Sequence, residues 1–392
     1  MLPPRDTLTR ERRALDGLWR FALDPDGAGR SCRWWDGLPT GAVEMPVPAS
    51  YNDVLADPAL RDHVGDAWYE RTFRCPRGWD GQRIVLRFGA ATHRAEVWVN
   101  SIPVVAHDGG YTPFEADVTE AVRPGAYNRM TVVVDNTLSW DSIPPGYVAD
   151  TPGGRRQRYF HDFFNYAGLH RSVWLYTTPR AHLDDLTVVS DMSGRRGRVR
   201  YRAHALFADG LAVRATLRDA DGARVAEAAG ATGELAVEDV RLWRPGDGHL
   251  YELLVELHRD GTVVDSYPQP VGVRTVAVDG DRFLINGEPF HFKGFGMHED
   301  SAVRGRGHDD VVMVHDFALL RWVGANSLRT SHYPYAEEVL EYADRHGVVV
   351  IAETPAVGLN LGLGGEDSWG EGLVTFSPQT IGDRAQAAHA RA

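Results

Sequence analysis

The sequence predicts a multidomain protein of the β plus α/β class. It should hold a jelly-roll-like sandwich, an immunoglobulin-like sandwich and the first part of a (β/α)8 TIM barrel. Three observations lead there. From Trp19 to Arg274 the chain reads as short strands separated by Gly and Pro turns, with no helix of convincing period. After Val276 the pattern changes to strand–helix–strand–helix–strand. The strands of this last part are apolar without alternation, as parallel strands covered by helices are.

In the first unit (1–179), IVLRF (Ile84–Phe88), AEVWVN (Ala95–Asn100) and MTVVVD (Met130–Asp135) are rich in β-branched residues. Gly109-Gly110, Pro124-Gly125 and Pro144-Pro145-Gly146 punctuate them. In the second unit (180–274), VRYRAHALF alternates, with Val199, Tyr201, Ala203, Ala205 and Phe207 on one face. YELLVEL and TVVDSY flank Asp260-Gly261, a strong hairpin turn. Alternating strands without helices over this length suit an immunoglobulin-like sandwich.

In the third unit (275–392), Asn286-Gly287 closes a hairpin and FHFKGFG (Phe290–Gly296) reads as a buried strand. Asp309 is placed to cap a helix with Met313, Phe317 and Leu320 on its apolar stripe, ended by Gly324. NSLRT (Asn326–Thr330) is the next strand. A helix from Ala336 to His346 follows, opened by Pro334 and closed by Gly347, and VVVIA (Val348–Ala352) is the third strand. A closed eightfold barrel needs about 250 residues, more than this unit holds, so the barrel is expected to be incomplete.

Composition narrows the function. At 392 residues, 43% apolar and 24% charged, the chain suits a soluble protein of two or three domains. A net charge of −12 argues against nucleic-acid binding, and no apolar run is long enough to cross a membrane. The basic run Arg155-Arg156-Gln157-Arg158 sits in a Pro/Gly-rich stretch and reads as a solvated loop or subunit contact. Cys32 and Cys75 are too few for a disulfide framework, and the N-terminus lacks a signal-peptide core, so a cytoplasmic location is expected. Eleven Trp and fourteen Tyr suit either sugar stacking or large sandwich cores.

In parallel barrels the reactive groups lie at the carboxyl ends of the strands. Here those positions hold His298, Glu299 and Asp300 after the first strand, and His332 after the second, which itself carries Arg329. Glu353 follows the third. Converging donors and acceptors of this kind suit a polyol, whose hydroxyls want both. Plainer roles are open: His332 as a hydrogen-bonded rim histidine, Glu299 and Asp300 as loop caps, Glu353 as the partner of Arg329. A metal site of His298, Glu299, His308 and His315 fails on spacing, so no metal or cofactor is expected.

The run NSLRTSHYPYAEEVLEYADRHGVVVI (326–351) resembles the signature of glycoside hydrolase family 2. So do VWVN, GGYTPFEADVT, YFHDFFNYAGLHRSVWLYTTP, LWRP, FLINGEPFHFKGFGMHED and VVIAETPAVGLN. FHDFFNYAGLHR and SHYPYAEE are most similar to the β-glucuronidase members. The resemblance extends from Leu15 to the last residues. It implies a jelly roll, an immunoglobulin-like domain and a catalytic barrel, with a β-glucuronide or oligosaccharide as substrate.

It also implies that Asp162 reaches from the first unit to the sugar and that His332 contacts the glycone. In that family the acid/base is the Glu of an Asn-Glu pair after the fourth strand. The nucleophile is a later Glu, and an Asn-x-Lys motif meets the substrate carboxylate. None of the three occurs in these residues. No catalytic residue is therefore assigned within the chain, which is expected to be the N-terminal portion of a retaining glycosidase, inactive by itself. Ala352 stands where relatives often carry Asp. The alternatives are a non-catalytic carbohydrate-binding fragment, or part of a family 2 β-galactosidase or β-mannosidase. The complete enzyme is expected to be a homo-oligomer, as a tetramer.

Overall fold

The computed structural model describes residues 1–355 and 357. In the first unit two antiparallel sheets face each other. One has six strands in the order Val43–Val47, Gly17–Leu23, Asp66–Arg74, Tyr127–Asp135, Arg94–Val99, Ile102–Asp108. The other runs Arg12–Ala14, Val173–Thr178, Arg83–Phe88, Phe114–Asp117. Alternation sets the core: Trp19 and Phe21 point inward, while the alternating Leu18 and Arg20 face out. Tyr69, Val97 and Val132 of the same sheet and Phe88 of the facing one join them in the core.

Tyr127–Asp135 departs from alternation because both its faces are covered. Val133 packs on the outer side beneath Trp68 and Trp98, and Trp35 stacks on Trp98 at 5.4 Å. Several tryptophans thus fill cores: Trp19, Trp68 and Trp79 are fully buried. One short helix, Pro58–Arg61, is present where none was expected, started by the Asp57 carboxylate accepting from the Ala59 N–H. The basic run is not in a loop. It lies along Gly154–Tyr159, paired with Gly146–Thr151 in a hairpin, where Arg156 forms an ion pair with Asp62.

The second unit packs the sheet His182–Ser193, Arg196–Leu206, Thr232–Val237 against Arg224–Ala229, Ala212–Arg218, Tyr251–Arg259, Thr262–Val271. Val199, Tyr201, Leu253, Val255 and Tyr267 form its core. Asp260 and Gly261 both take positive φ, 50° and 81°, as a two-residue hairpin turn of type I′ requires. Phe207 is a correction. The strand ends at Leu206, and Phe207 adopts φ 52°, so its side chain leaves the inner face and is 77% exposed.

In the third unit three short strands, Gly294–Met297, Ser327–Thr330 and Val349–Ile351, run parallel in that order. Helices Asp310–Trp322 and Glu337–His346 connect them. Asp309 caps the first helix by accepting from the Val311 and Val312 N–H groups. Gly347 ends the second at φ 66°, where a Cβ would come 2.6 Å from the Arg244 carbonyl oxygen, so a side chain is excluded twice over. Asn286 and Gly287 make the expected tight turn, with φ of 54° and 79°.

Phe290–Gly296 is a second correction. Only its end is strand, from Gly294, and Phe295 is 56% exposed. It lies at the sheet edge, and no described strand pairs with its outer side. Ser327–Thr330, flanked on both sides, is the buried strand instead. No helix among the described residues is long and apolar enough to cross a membrane.

A buried ion pair fastens the N-terminal segment to the second unit. The Asp265 carboxylate is fully buried and accepts from Arg10 (Nη2 2.6 Å, Nε 3.0 Å), Thr9 Oγ1 and the Leu183 N–H. Removing one partner strands the other charge, so Asp265→Ala should lower unfolding free energy by about 3–5 kcal/mol. Denaturant unfolding measures this.

Candidate functional site

Parallel pairing puts the carboxyl ends of the three barrel strands side by side, and the loop from Phe160 to Arg171 of the first unit lies against them. Glu353, just past the third strand, is held by its own N–H donating to Thr330 Oγ1 at 2.9 Å. One of its carboxylate oxygens forms an ion pair with Arg329 Nη1. The other lies 3.2 Å from His332 Nδ1, which makes Nδ1–H the donor and leaves Nε2 facing outward. There Asp162 Oδ1 stands 3.8 Å away, its side chain open to solvent. Arg329, Glu353, His332 and Asp162 therefore form one charged line across the junction of the two units.

Aromatic rings back this line. Phe163 lies nearly parallel to the His332 ring, with centroids 6.1 Å apart, and packs 5.3 Å from His298. His298 is half-buried with Nδ1 3.4 Å from the Tyr333 hydroxyl, and burial lowers its pKa. Asp300 is exposed and engaged through its backbone in a two-residue pairing with Gly305–Arg306.

Glu299 does not join the rim. Its side chain is buried, with Oε2 accepting from Arg171 Nη2 at 2.8 Å and Oε1 from the Ala336 N–H at 2.7 Å. It clasps the first unit to the start of the Glu337–His346 helix, so its carboxylate is occupied twice and turned from the cleft. Of the seven candidate positions, the structure brings Asp162, His332, Arg329 and Glu353 together with His298 behind them. Glu299 and Asp300 stand apart.

Three residues not singled out from the sequence shape the site. Arg306, fully buried, lies over the rings of Tyr333 (4.5 Å), Tyr111 (5.0 Å) and Phe163 (5.3 Å), a cation enclosed by aromatic faces. Arg171 ends the FHDFFNYAGLHR run, and Phe163 lies within it. Both stand inside a quoted motif, whereas nothing local marks Arg306.

Behind the loop sit three buried histidines. His93 Nε2 is 2.7 Å from Asn165 Oδ1, and His170 Nδ1 is 3.0 Å from Thr92 Oγ1. Neither ring nitrogen of His161 has a partner among the described atoms. Burial lowers all three pKa values, that of His93 to about 4, with the Arg306 charge adding to the effect.

Family models match almost the whole chain. The sugar binding domain of glycosyl hydrolases family 2 covers residues 12–179, a further family 2 domain covers 181–274, and the family 2 TIM barrel domain covers 276–388. The chain belongs to glycoside hydrolase family 2. This family 2 chain is 53% identical over 365 residues to a β-glucuronidase of Paenibacillus borealis, matching 91% of itself and 61% of that protein. It is 45% identical to the β-glucuronidase of Rattus norvegicus, over 92% of itself and 59% of the relative.

Among solved structures, the β-D-glucuronidase of Dictyoglomus thermophilum superposes with a TM-score of 0.90 at 41% identity, covering all of this chain and 64% of that one. A β-glucuronidase of Ruminococcus gnavus in complex with D-glucuronic acid gives 0.88 at 39% identity, over 91% of this chain and 62% of that one. The chain thus spans about three fifths of the length of the relatives it matches.

The buried histidines make stability pH-dependent. Their folded pKa values lie below the unfolded value of about 6.5, so the unfolded chain binds protons first as pH falls. Stability should be full above pH ~6.5 and decline as pH falls towards the His93 value of about 4. His93→Gln should flatten that decline in denaturant unfolding measured between those limits.

Proposed function

We propose that this chain builds the glycone-binding wall of a retaining glycosidase acting on β-D-glucuronides. The observation that carries this is the Arg329–Glu353–His332–Asp162 line, which ends in an exposed carboxylate and an imidazole nitrogen at the mouth of the barrel strands. Asp162 accepts from vicinal sugar hydroxyls, and His332 Nε2 meets the same ring. Glu353 holds the histidine's orientation, and Arg329 neutralises Glu353. The names of the relatives support the glucuronide over the galactoside and mannoside readings.

Retaining hydrolysis needs an acid/base carboxyl and a nucleophilic carboxylate about 5–5.5 Å apart. Glu353 is tied to Arg329 and His332, and Glu299 is buried against Arg171, so neither is free for these tasks. The chemistry we propose draws both carboxylates from barrel strands not represented in these residues. The complete enzyme is proposed to work as a homo-oligomer.

In a protein carrying this chain with the remaining barrel, Asp162→Ala should raise KM for an aryl β-D-glucuronide about tenfold or more. Hydrogen bonds to a charged group are worth about 1.5–3 kcal/mol. An unchanged KM would remove Asp162 from the site. The 392-residue chain itself should release no more aglycone than its Glu353→Ala variant; a clearly higher rate would overturn this assignment of roles.

A further inference from the structure

A crevice of about 780 Å³ opens where the first unit meets the second. Ile102, Pro103, Val104 and Phe207 supply its apolar lining. Arg180, Glu120, Thr119 and the Arg83–Asp117 ion pair complete the lining. The strand Phe114–Asp117 separates this crevice from the glycone site. Tyr111, just before that strand, stacks on Tyr333 at the site, whereas Asp117 at its far end lines the crevice.

Phe207 is the telling residue. The alternation of its strand would turn it inward beside Tyr201 and Ala203. The backbone instead takes a left-handed conformation, φ 52°, which is unfavourable for a bulky residue, and presents the ring 77% exposed. Thus an apolar ring is held in water at a backbone cost, facing a cavity. Arg180 and Glu120 are drawn into no ion pair among the described residues, whereas Asp117 is committed to Arg83 and Thr119. The unoccupied groups are thus one cationic donor and one anionic acceptor flanking an aromatic face.

We propose that this crevice is a second saccharide site, binding a pyranose ring of an oligosaccharide away from the glycone site. The apolar C–H face of the ring stacks on Phe207, while its hydroxyls receive from Arg180 and donate to Glu120. A cavity of this size suits a ligand of one to three rings. Free charges of both signs match hydroxyls, which are donor and acceptor at once, better than they match an anion.

The test is calorimetric and NMR titration of the 392-residue chain with cellotetraose, maltotetraose and a glucuronate-containing tetrasaccharide. Binding of at least one is expected, weakened about tenfold or more by Phe207→Ala, which removes the apolar face the ring would bury, and less by Arg180→Ala. Asp162→Ala should leave it unchanged, which separates this site from the glycone site. Thermal unfolding of each variant confirms that it is folded. Failure of all three saccharides to bind, equal binding by Phe207→Ala, or abolition by Asp162→Ala would each overturn the proposal. So would light scattering showing that Phe207→Ala splits an oligomer, since the crevice would then be a subunit contact.

Discussion

The buried ion pair between Arg171 and Glu299 is the constraint on which the site depends. Arg171 comes from the first unit and Glu299 from the loop after the first barrel strand, and both side chains are almost wholly out of water. Desolvating two such charges costs several kcal/mol each, offset only where every remaining donor and acceptor is met. Most are met here: Arg171 also donates through its terminal nitrogens to the Tyr111 and Pro334 carbonyls, and Glu299 also accepts from the Ala336 N–H, while Arg171 Nε has no partner among the described atoms. The pair therefore forms only when the FHDFF loop, the second barrel loop and the following helix are in register. Arg306 adds a second check on the same junction, since its aromatic enclosure takes rings from both units.

Given that junction, the polar line becomes possible. Asp162 lies on the first unit and His332, Glu353 and Arg329 on the third, so no one element could build it. It runs from Arg329 through Glu353 to His332, and then to Asp162. Each internal member has a partner on either side, and of the two carboxylates only the outermost, Asp162, is widely open to solvent. That open end is the one carboxylate of the line not engaged on both sides, because its neighbours are already satisfied by one another.

Local grammar made most of the fold legible. Alternation identified the sandwich strands, and Asp260-Gly261 and Asn286-Gly287 fixed hairpins because their positive φ is demanded locally. Asp309 and Gly347 bounded helices through contacts within a turn or two. What escaped depends on partners distant in the chain. Glu299 looks like a rim carboxylate until Arg171, far upstream, takes it inward. Phe290–Gly296 reads as buried because its composition is that of a covered strand, yet burial needs a neighbour on each side. Phe207 escaped for another reason: the turn that follows it overrode a regular alternation.

Arginine's use at this junction explains why its partners are aromatic as well as acidic. A guanidinium is weakly hydrated and planar, so it tolerates burial between rings where an ammonium would not. Arg171 is neutralised by a carboxylate, while Arg306 has a phenol oxygen at 3.4 Å and otherwise faces π-surfaces. Burial keeps the neighbouring His93, His161 and His170 neutral, and the Arg306 charge acts in the same direction on all three, joined by Arg171 at His170. Neutral histidines in turn avoid like-charge repulsion with Arg306 in a medium that screens poorly. The aromatic enclosure, the neutral histidines and the carboxylate clasp are therefore one electrostatic solution. It holds two cations inside a protein so that two domains can share a site.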